Sequence, residues 1–231
     1  MLGKLSIVAT PIGNLDDLSP RAAETLRRAD LVACEDTRRT GRLLAHLELK
    51  RPLLSLHEHN EKRRLDDLLE RLGRGESIAL VSDAGTPLVS DPGYLLVRAA
   101  IERGVAVEAV PGPSAATVAL VASGLPPYPF TFLGFPPAKQ GKRRRFFGSA
   151  AKLDHTLIFF ESPHRIVASL ADAIAELGDR RASVSRELTK LHEETLRGRL
   201  SEVLSALESR AAVKGELTVV VDRRRDQTAD E

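Results

Sequence analysis

The chain has 231 residues, 34 Lys and Arg against 32 Asp and Glu, a net charge of +2 and one cysteine. A chain of that length buries roughly 70% of its unfolded surface, enough for a core without staples. Its 42% hydrophobic content excludes a disordered protein, and one cysteine excludes an internal disulfide or a thiolate zinc cage. No apolar run approaches the ~18 residues of a membrane span, and Met1-Leu2-Gly3-Lys4 lacks the layout of a signal peptide. The expectation is a soluble, cytoplasmic protein with no membrane contact and no metal.

Short apolar, β-branched runs alternate with helical patterns along the first half. Leu5–Ala9 reads as a buried strand, and Ser19-Pro20 supplies an N-cap and first-turn proline for a helix to about Arg28. Leu31–Cys34 is a second strand, Thr40–Leu47 a short helix and Pro52–Ser55 a third strand. Leu65, Leu68, Leu69 and Leu72 fall on one helical face. Ile78–Val81 is a fully apolar strand, Pro92–Arg103 a helix begun by the pair Asp91-Pro92, and Val105–Val110 a fifth strand. Such alternation predicts an α/β protein whose first domain holds a mostly parallel sheet covered on both faces.

Pro111-Gly112-Pro113 breaks the pattern, so the expected domains are 1–112 and 113–231, with Gly124–Pro127 a second candidate boundary. A helix over Ser114–Ser123 follows, then strands at Phe130–Phe135 and Thr156–Phe160 flanking a basic loop, 136–147. Ile166, Leu170, Ile174 and Leu177 mark a helix, Ala182–Arg186 a strand, Leu200–Leu207 a helix and Leu217–Val221 a last strand. This second domain is expected to carry a mixed sheet. Arg223–Glu231 reads as a polar, mobile tail.

No G-x-G-x-x-G follows the first strand and no P-loop occurs. Instead three strands end in small-residue loops: Thr10-Pro11-Ile12-Gly13 after the first, Ser82-Asp83-Ala84-Gly85-Thr86-Pro87 after the fourth, and Pro111-Gly112-Pro113-Ser114-Ala115 after the fifth. Strand carboxyl ends of a parallel sheet share one rim, where ligands bind. Loops of small residues let backbone approach a ligand without side-chain obstruction. One such loop is a tight connection; three on one rim point to a small-molecule pocket. Cys34, in an apolar strand without a partner base, reads as an inert buried thiol. His57-x-His59 lacks a convincing third ligand for a metal.

The strings Ala-Thr-Pro-Ile-Gly-Asn-Leu (9–15), Glu-Asp-Thr-Arg (35–38), His-Glu-His-Asn-Glu (57–61) and Ser-Asp-Ala-Gly-Thr-Pro (82–87) resemble the RsmI type of ribosomal RNA small-subunit methyltransferase. So do Ser-Asp-Pro-Gly-Tyr (90–94), Pro-Gly-Pro-Ser-Ala (111–115), Glu-Ser-Pro-His-Arg (161–165) and Arg-Glu-Leu-Thr-Lys (186–190). That type belongs to the tetrapyrrole methylase superfamily, and the resemblance runs from about Leu5 to Val221. It implies two α/β domains with S-adenosylmethionine in the cleft between them. It also implies a homodimer, and 2′-O-methylation of a cytidine in the decoding region of 16S rRNA, free or in the 30S particle. Carried over by position, it implies cofactor contacts at Pro11, Ile12, Ala84, Gly85, Thr86, Ser114, Ala115, Glu161 and Leu188. The wider superfamily often has Gly-Asp-Pro where this chain has Gly85-Thr86-Pro87, so Asp83 is the expected substitute for the missing acid. Some relatives continue with a helical extension, whereas this sequence stops at Glu231; any RNA contact from such a segment is expected to be absent or supplied elsewhere.

Methyl transfer to a ribose hydroxyl needs alignment, worth about 7–11 kcal/mol in favourable cases, more than it needs a base, worth ~10²–10⁴-fold. Candidate groups to orient or deprotonate the hydroxyl are Glu35, Asp36 and Lys190, with His57 and His59 as further possibilities. Lys139, Lys142, Arg143, Arg144 and Arg145 put five cations into seven residues with no acid among them, the natural footprint of phosphate contact. The near-neutral total thus averages a basic segment with an acidic-leaning remainder. Two other functions fit the residues: methylation of a tetrapyrrole, and an RNA-binding or assembly factor without turnover.

Overall fold

The computed structural model describes residues 2–223; most of the expected tail, 224–231, lies outside them. The chain divides into two compact units, Met1–Ser114 and Ala115–Glu231, two residues beyond the division expected at Gly112. Among the described residues no helix is long and apolar enough to cross a membrane.

The first unit runs β1 (Lys4–Val8), a 3-10 turn (Leu15–Asp17), α1 (Pro20–Arg28), β2 (Leu31–Cys34), α2 (Thr37–His46) and β3 (Leu53–Ser55). It continues with α3 (Glu61–Gly73), β4 (Ile78–Val81), α4 (Tyr94–Glu102) and β5 (Ala106–Val110). The five strands are parallel in the order β3-β2-β4-β1-β5. Period-two alternation sends Leu31, Ala33, Ile78 and Leu80 into one core with Leu68, Leu72 and Leu96 of α3 and α4. Val32, Cys34, Ala79 and Val81 enter the opposite core with Leu26 of α1 and Leu43 and Leu44 of α2. Connections stepping toward β3 put their helices on one face and those stepping back put theirs on the other, as right-handed crossovers require.

Two helices begin elsewhere than their sequence suggests. Asp36 caps α2, accepting the Arg38 amide at 2.8 Å, so the helix starts three residues before Thr40. Asp91-Pro92 does not open α4. That helix starts at Tyr94 behind Gly93, which sits at φ +120° and has no side chain to cap with. The buried Glu61 carboxylate supplies the missing acceptor, taking the Leu95 amide at 2.8 Å and the Leu96 amide at 3.4 Å.

The second unit runs α5 (Ala115–Ser123), β6 (Phe130–Phe132), α6 (Gln140–Ala150), β7 (Thr156–Glu161), α7 (Ile166–Leu177), β8 (Arg181–Arg186), β9 (Glu194–Arg199), α8 (Leu200–Glu208) and β10 (Leu217–Val221). Its sheet is mixed, in the order β6-β7-β10-β8-β9, with β6 parallel to β7 and the other pairs antiparallel. Leu157, Phe159, Val184, Val219 and Val221 meet Phe147, Leu170 and Val203 of α6, α7 and α8 in one core. The alanine-rich α5 has Ala116, Ala119 and Leu120 buried and lies against β7, β8, β9 and β10. Arg197 of β9 caps its carboxyl end, donating Nη2 to the Ala122 carbonyl at 2.6 Å.

The basic segment is a correction: residues 140–150 of the expected loop 136–147 and its continuation form α6. Two glycines and four consecutive cations hide its periodicity, but Arg143, Phe147 and Ala150 turn inward together. Arg143 is 5% exposed, donates Nε to Asp172 of α7 at 2.8 Å and gives Nη1 to the Ala138 carbonyl at 3.0 Å. A buried pair with its geometry met is costly to break because the survivor is left charged in the core. We therefore expect Arg143→Ala to lose about 3–5 kcal/mol of stability and the exposed Arg145→Ala less than about 0.5, read as shifts of urea midpoint. Equal midpoints for the two variants would refute a structural Arg143.

Candidate functional site

The rim of the first unit is built by backbone. Thr10 and Gly85 exchange two hydrogen bonds, amide to carbonyl in both directions, at 2.9 and 3.0 Å. Thr10 Oγ1 reaches the Ser82 carbonyl at 3.3 Å, and Thr86 Oγ1 reaches the Pro113 carbonyl at 3.4 Å. The loops after β1, β4 and β5 are thereby stitched together. Gly85 sits at φ +78°, and a Cβ there would stand 3.3 Å from Ile12 Cγ2 and 3.7 Å from the Pro113 carbonyl. At Gly112 a Cβ would come 2.9 Å from that of Ala9. Ile12, Ala84, Gly85, Thr86 and Pro113 therefore share one small neighbourhood, with Pro11 and Ser114 adjoining it in the chain.

Carboxylates flank this neighbourhood. Asp83 accepts the Asp36 amide at 2.9 Å and lies 3.4 Å from Arg39, so it ties the β4 loop to the start of α2. Asp36 is gripped by Arg38, whose hydrogen bonds hold its carboxyl far below the usual range. Burial, and then Asp83 nearby, push the Glu35 carboxyl upward against the pull of Arg39 and His57. Asp91, not singled out from sequence as more than a helix cap, is lifted to about 6 by burial, with Glu35 and Asp83 adding to the rise and a hydrogen bond from Ser82 opposing it. His57 stacks edge-on with His59 at 6.0 Å. Among the described residues no three His, Cys, Asp or Glu gather as a metal site. The string around them is a scaffold: Asn60 accepts the His57 amide at 2.9 Å and donates to the Ser55 carbonyl at 3.1 Å.

In the second unit Glu161 is 2% exposed and its carboxylate is saturated by Arg165 at 2.6 Å, the Ser162 amide at 2.8 Å and the Ser169 hydroxyl. Any ligand contact from Glu161 is thus left to its backbone at the end of β7. Leu188 is buried between Glu187 and Thr189, both at positive φ, +51° and +65°. Lys190 bonds Glu187 at 2.8 Å and Glu216 at 3.1 Å; burial lowers its pKa, but these bonds outweigh burial and raise it, so Lys190 stays protonated. Leu88 and Ser90, both at φ +71°, put the same kind of strain into the loop after β4. Held φ values of this kind cost about 1–3 kcal/mol each and concentrate where a loop must keep one shape.

The five cations expected to face a polyanion separate. Arg143 is buried on Asp172, and Arg144 pairs with Glu176 at 2.6 Å. Lys139, Lys142 and Arg145 are exposed and make no ion pair among the described residues. A cavity of about 300 Å³ bordered by Lys4, Arg21 and Glu108 contains none of the motif residues.

A family model described as Tetrapyrrole (Corrin/Porphyrin) Methylases matches residues 4–204. The chain belongs to this family. Other methylases match it closely along the chain. It is 51% identical over 229 residues to the ribosomal RNA small subunit methyltransferase I of Micromonospora olivasterospora, covering 99% of this chain and 73% of that protein. It is 48% identical over 221 residues to the Thermotoga maritima protein of the same name, covering 95% and 98%. Among solved structures, uroporphyrin III C-methyltransferase from Thermus thermophilus superposes with a TM-score of 0.65 at 22% identity, covering 94% of this chain and 97% of that one. A diphthine synthase gives 0.72 at 18%, covering 95% and 90%. These two share the methylase fold.

Asp91 gives the methylase rim a measurable signature. Its folded pKa near 6 lies above its value in the unfolded chain, so the native state loses stability as pH rises through that range. Asp91→Asn should match the parent near pH 4 and exceed it by about 1–3 kcal/mol above pH 7. A stability difference that does not change with pH would contradict a raised Asp91 pKa.

Proposed function

We propose that this methylase transfers a methyl group from S-adenosylmethionine to the 2′-hydroxyl of a cytidine in the decoding region of 16S rRNA. The single observation that carries this reading is about 50% identity, over nearly the whole chain, to proteins named ribosomal RNA small subunit methyltransferase I. The rim supports it chemically. Small side chains bring Ile12, Ala84, Gly85, Thr86 and Pro113 together where the loops after β1, β4 and β5 meet. Glu35, Asp83 and Asp91 make the neighbourhood suitable for a ligand bearing an ammonium and a sulfonium. These first-unit residues, with Pro11 and Ser114 adjoining them in the chain, would hold the cofactor.

S-adenosylmethionine supplies an electrophilic methyl group and needs no metal to activate it. The work left to the chain is to align the ribose hydroxyl and accept its proton as the oxygen–methyl bond forms and the methyl–sulfur bond breaks, the electron pair of that bond staying on sulfur in the departing S-adenosylhomocysteine. Of the three candidates, Asp36 is a poor base because Arg38 stabilises its charged form, and Lys190 is protonated. Glu35 has the needed properties: it directly follows β2 on the rim, and burial, then Asp83 nearby, makes it more basic than an ordinary glutamate. The rate should fall as pH drops through the raised Glu35 pKa.

The test incubates the enzyme and methyl-labelled S-adenosylmethionine with unmethylated 30S particles, free 16S rRNA or a porphyrinogen, then digests the RNA to nucleosides. Label on the ribose of one cytidine is expected. Label on a base, or on the porphyrinogen alone, overturns the reading. Glu35→Gln should lower kcat by about 10²–10⁴-fold with little change in KM, whereas Asp36→Asn should act mainly on stability.

A further inference from the structure

Phe135 lies between β6 and α6 with 53% of its surface exposed. An exposed phenylalanine alone is unexceptional, but this one is held in place on three sides. Its ring rests against Phe160 at 5.4 Å, and Phe160 is braced edge-on by Phe132 at 4.9 Å. On one flank the Gly134 carbonyl accepts the Phe160 amide at 3.0 Å, and the Leu133 amide reaches the Ile158 carbonyl at 2.8 Å. On the other flank Pro136 is buried and its carbonyl accepts Nη1 of Arg165 at 3.2 Å, while Arg165 is anchored on the buried Glu161. Two prolines in succession, Pro136-Pro137, remove further backbone freedom. The result is an aromatic face shown to solvent from a backbone hydrogen-bonded on both sides of it.

Lys139 follows four residues later, within ~14 Å along even a fully extended chain. It leads into Lys142 and Arg145, the exposed cations without an acidic partner among the described residues. A flat apolar face followed closely in the chain by such cations suits one chemistry in particular: a base stacks on the ring while flanking phosphates meet the cations. A duplex buries its base faces, so the matching partner is an unpaired nucleotide. We infer that Phe135 is a stacking platform for an unpaired base of the RNA substrate, with Lys139, Lys142 and Arg145 on the neighbouring phosphates. This rests on the RNA reading above and adds a positioning residue to it.

The probe is a single-stranded oligoribonucleotide carrying 2-aminopurine, titrated into the full-length protein, with a fully paired RNA as control. Phe135→Leu keeps the packing on Phe160 but removes the aromatic face. It should weaken single-strand binding by about 5- to 100-fold, abolish the 2-aminopurine quench, leave the salt slope unchanged and leave duplex binding untouched. Phe135→Trp should restore both affinity and quench. Lys139→Ala/Lys142→Ala/Arg145→Ala should instead flatten the slope of log affinity against log salt by about 2. Wild-type affinity and quench in Phe135→Leu, with the triple cation variant impaired, overturn the platform and leave the RNA reading standing. Equal weakening of single strand and duplex by Phe135→Leu also overturns it. Failure of the parent protein to bind the probe and to label 30S particles or rRNA removes the RNA reading and the platform together.

Discussion

Two backbone hydrogen bonds between Thr10 and Gly85 anchor the rim of the first unit. They join loops that are 75 residues apart in sequence and lie at the ends of the neighbouring strands β1 and β4. Because the partners are main-chain groups, the junction places few demands on side chains except smallness and the φ of Gly85. Side chains at Gly85 or Gly112 would press on Ile12 or Ala9 and hold the loops apart. The parallel sheet makes this arrangement possible, since only when all strands point the same way do the loops after β1, β2, β4 and β5 emerge together.

Charge in this protein does two kinds of work that composition does not separate. Glu161, Glu61, Arg143 and Asp172 are buried and spent on structure: a turn, a helix end and a helix pair. Each is satisfied by several partners, which is what lets an ion stay in a core. Glu35, Asp83 and Asp91 form the other class, incompletely compensated carboxylates whose proximity and burial raise the pKa of Glu35 and Asp91. A rim of this kind favours a cationic ligand, and it also leaves one glutamate more basic than usual. Three exposed cations at and in α6 complete the division, since no acid offsets Lys139, Lys142 or Arg145 among the described residues.

The regular elements of the first unit were legible because buried parallel strands are near-continuous apolar runs and their helices show leucines at helical spacing. The mixed second sheet was legible in outline, but β9 was missed. Glu194–Arg199 is an edge strand of charged and small residues, and it pairs with β8 through backbone without an apolar alternation to announce it. α6 escaped for a related reason: its inward face is led by an arginine, and an arginine reads as surface until its partner is known. Asp91-Pro92 carried the right residues for a helix start, yet Gly93 and the distant Glu61 settle where α4 begins.

Local sequence by itself determined which segments of the first unit form strands and helices, the three small-residue loops and the motifs that mark the family, since each depends on neighbours within a few residues. Tertiary structure alone decided which charges are available. Whether Arg143 meets solvent or Asp172, whether Lys190 reaches Glu216, and whether Glu35 is more basic than an ordinary glutamate depend on groups brought close from elsewhere in the chain. The physical reason is that ionisation and hydrogen-bond satisfaction are set by distance and burial, quantities that sequence spacing does not encode.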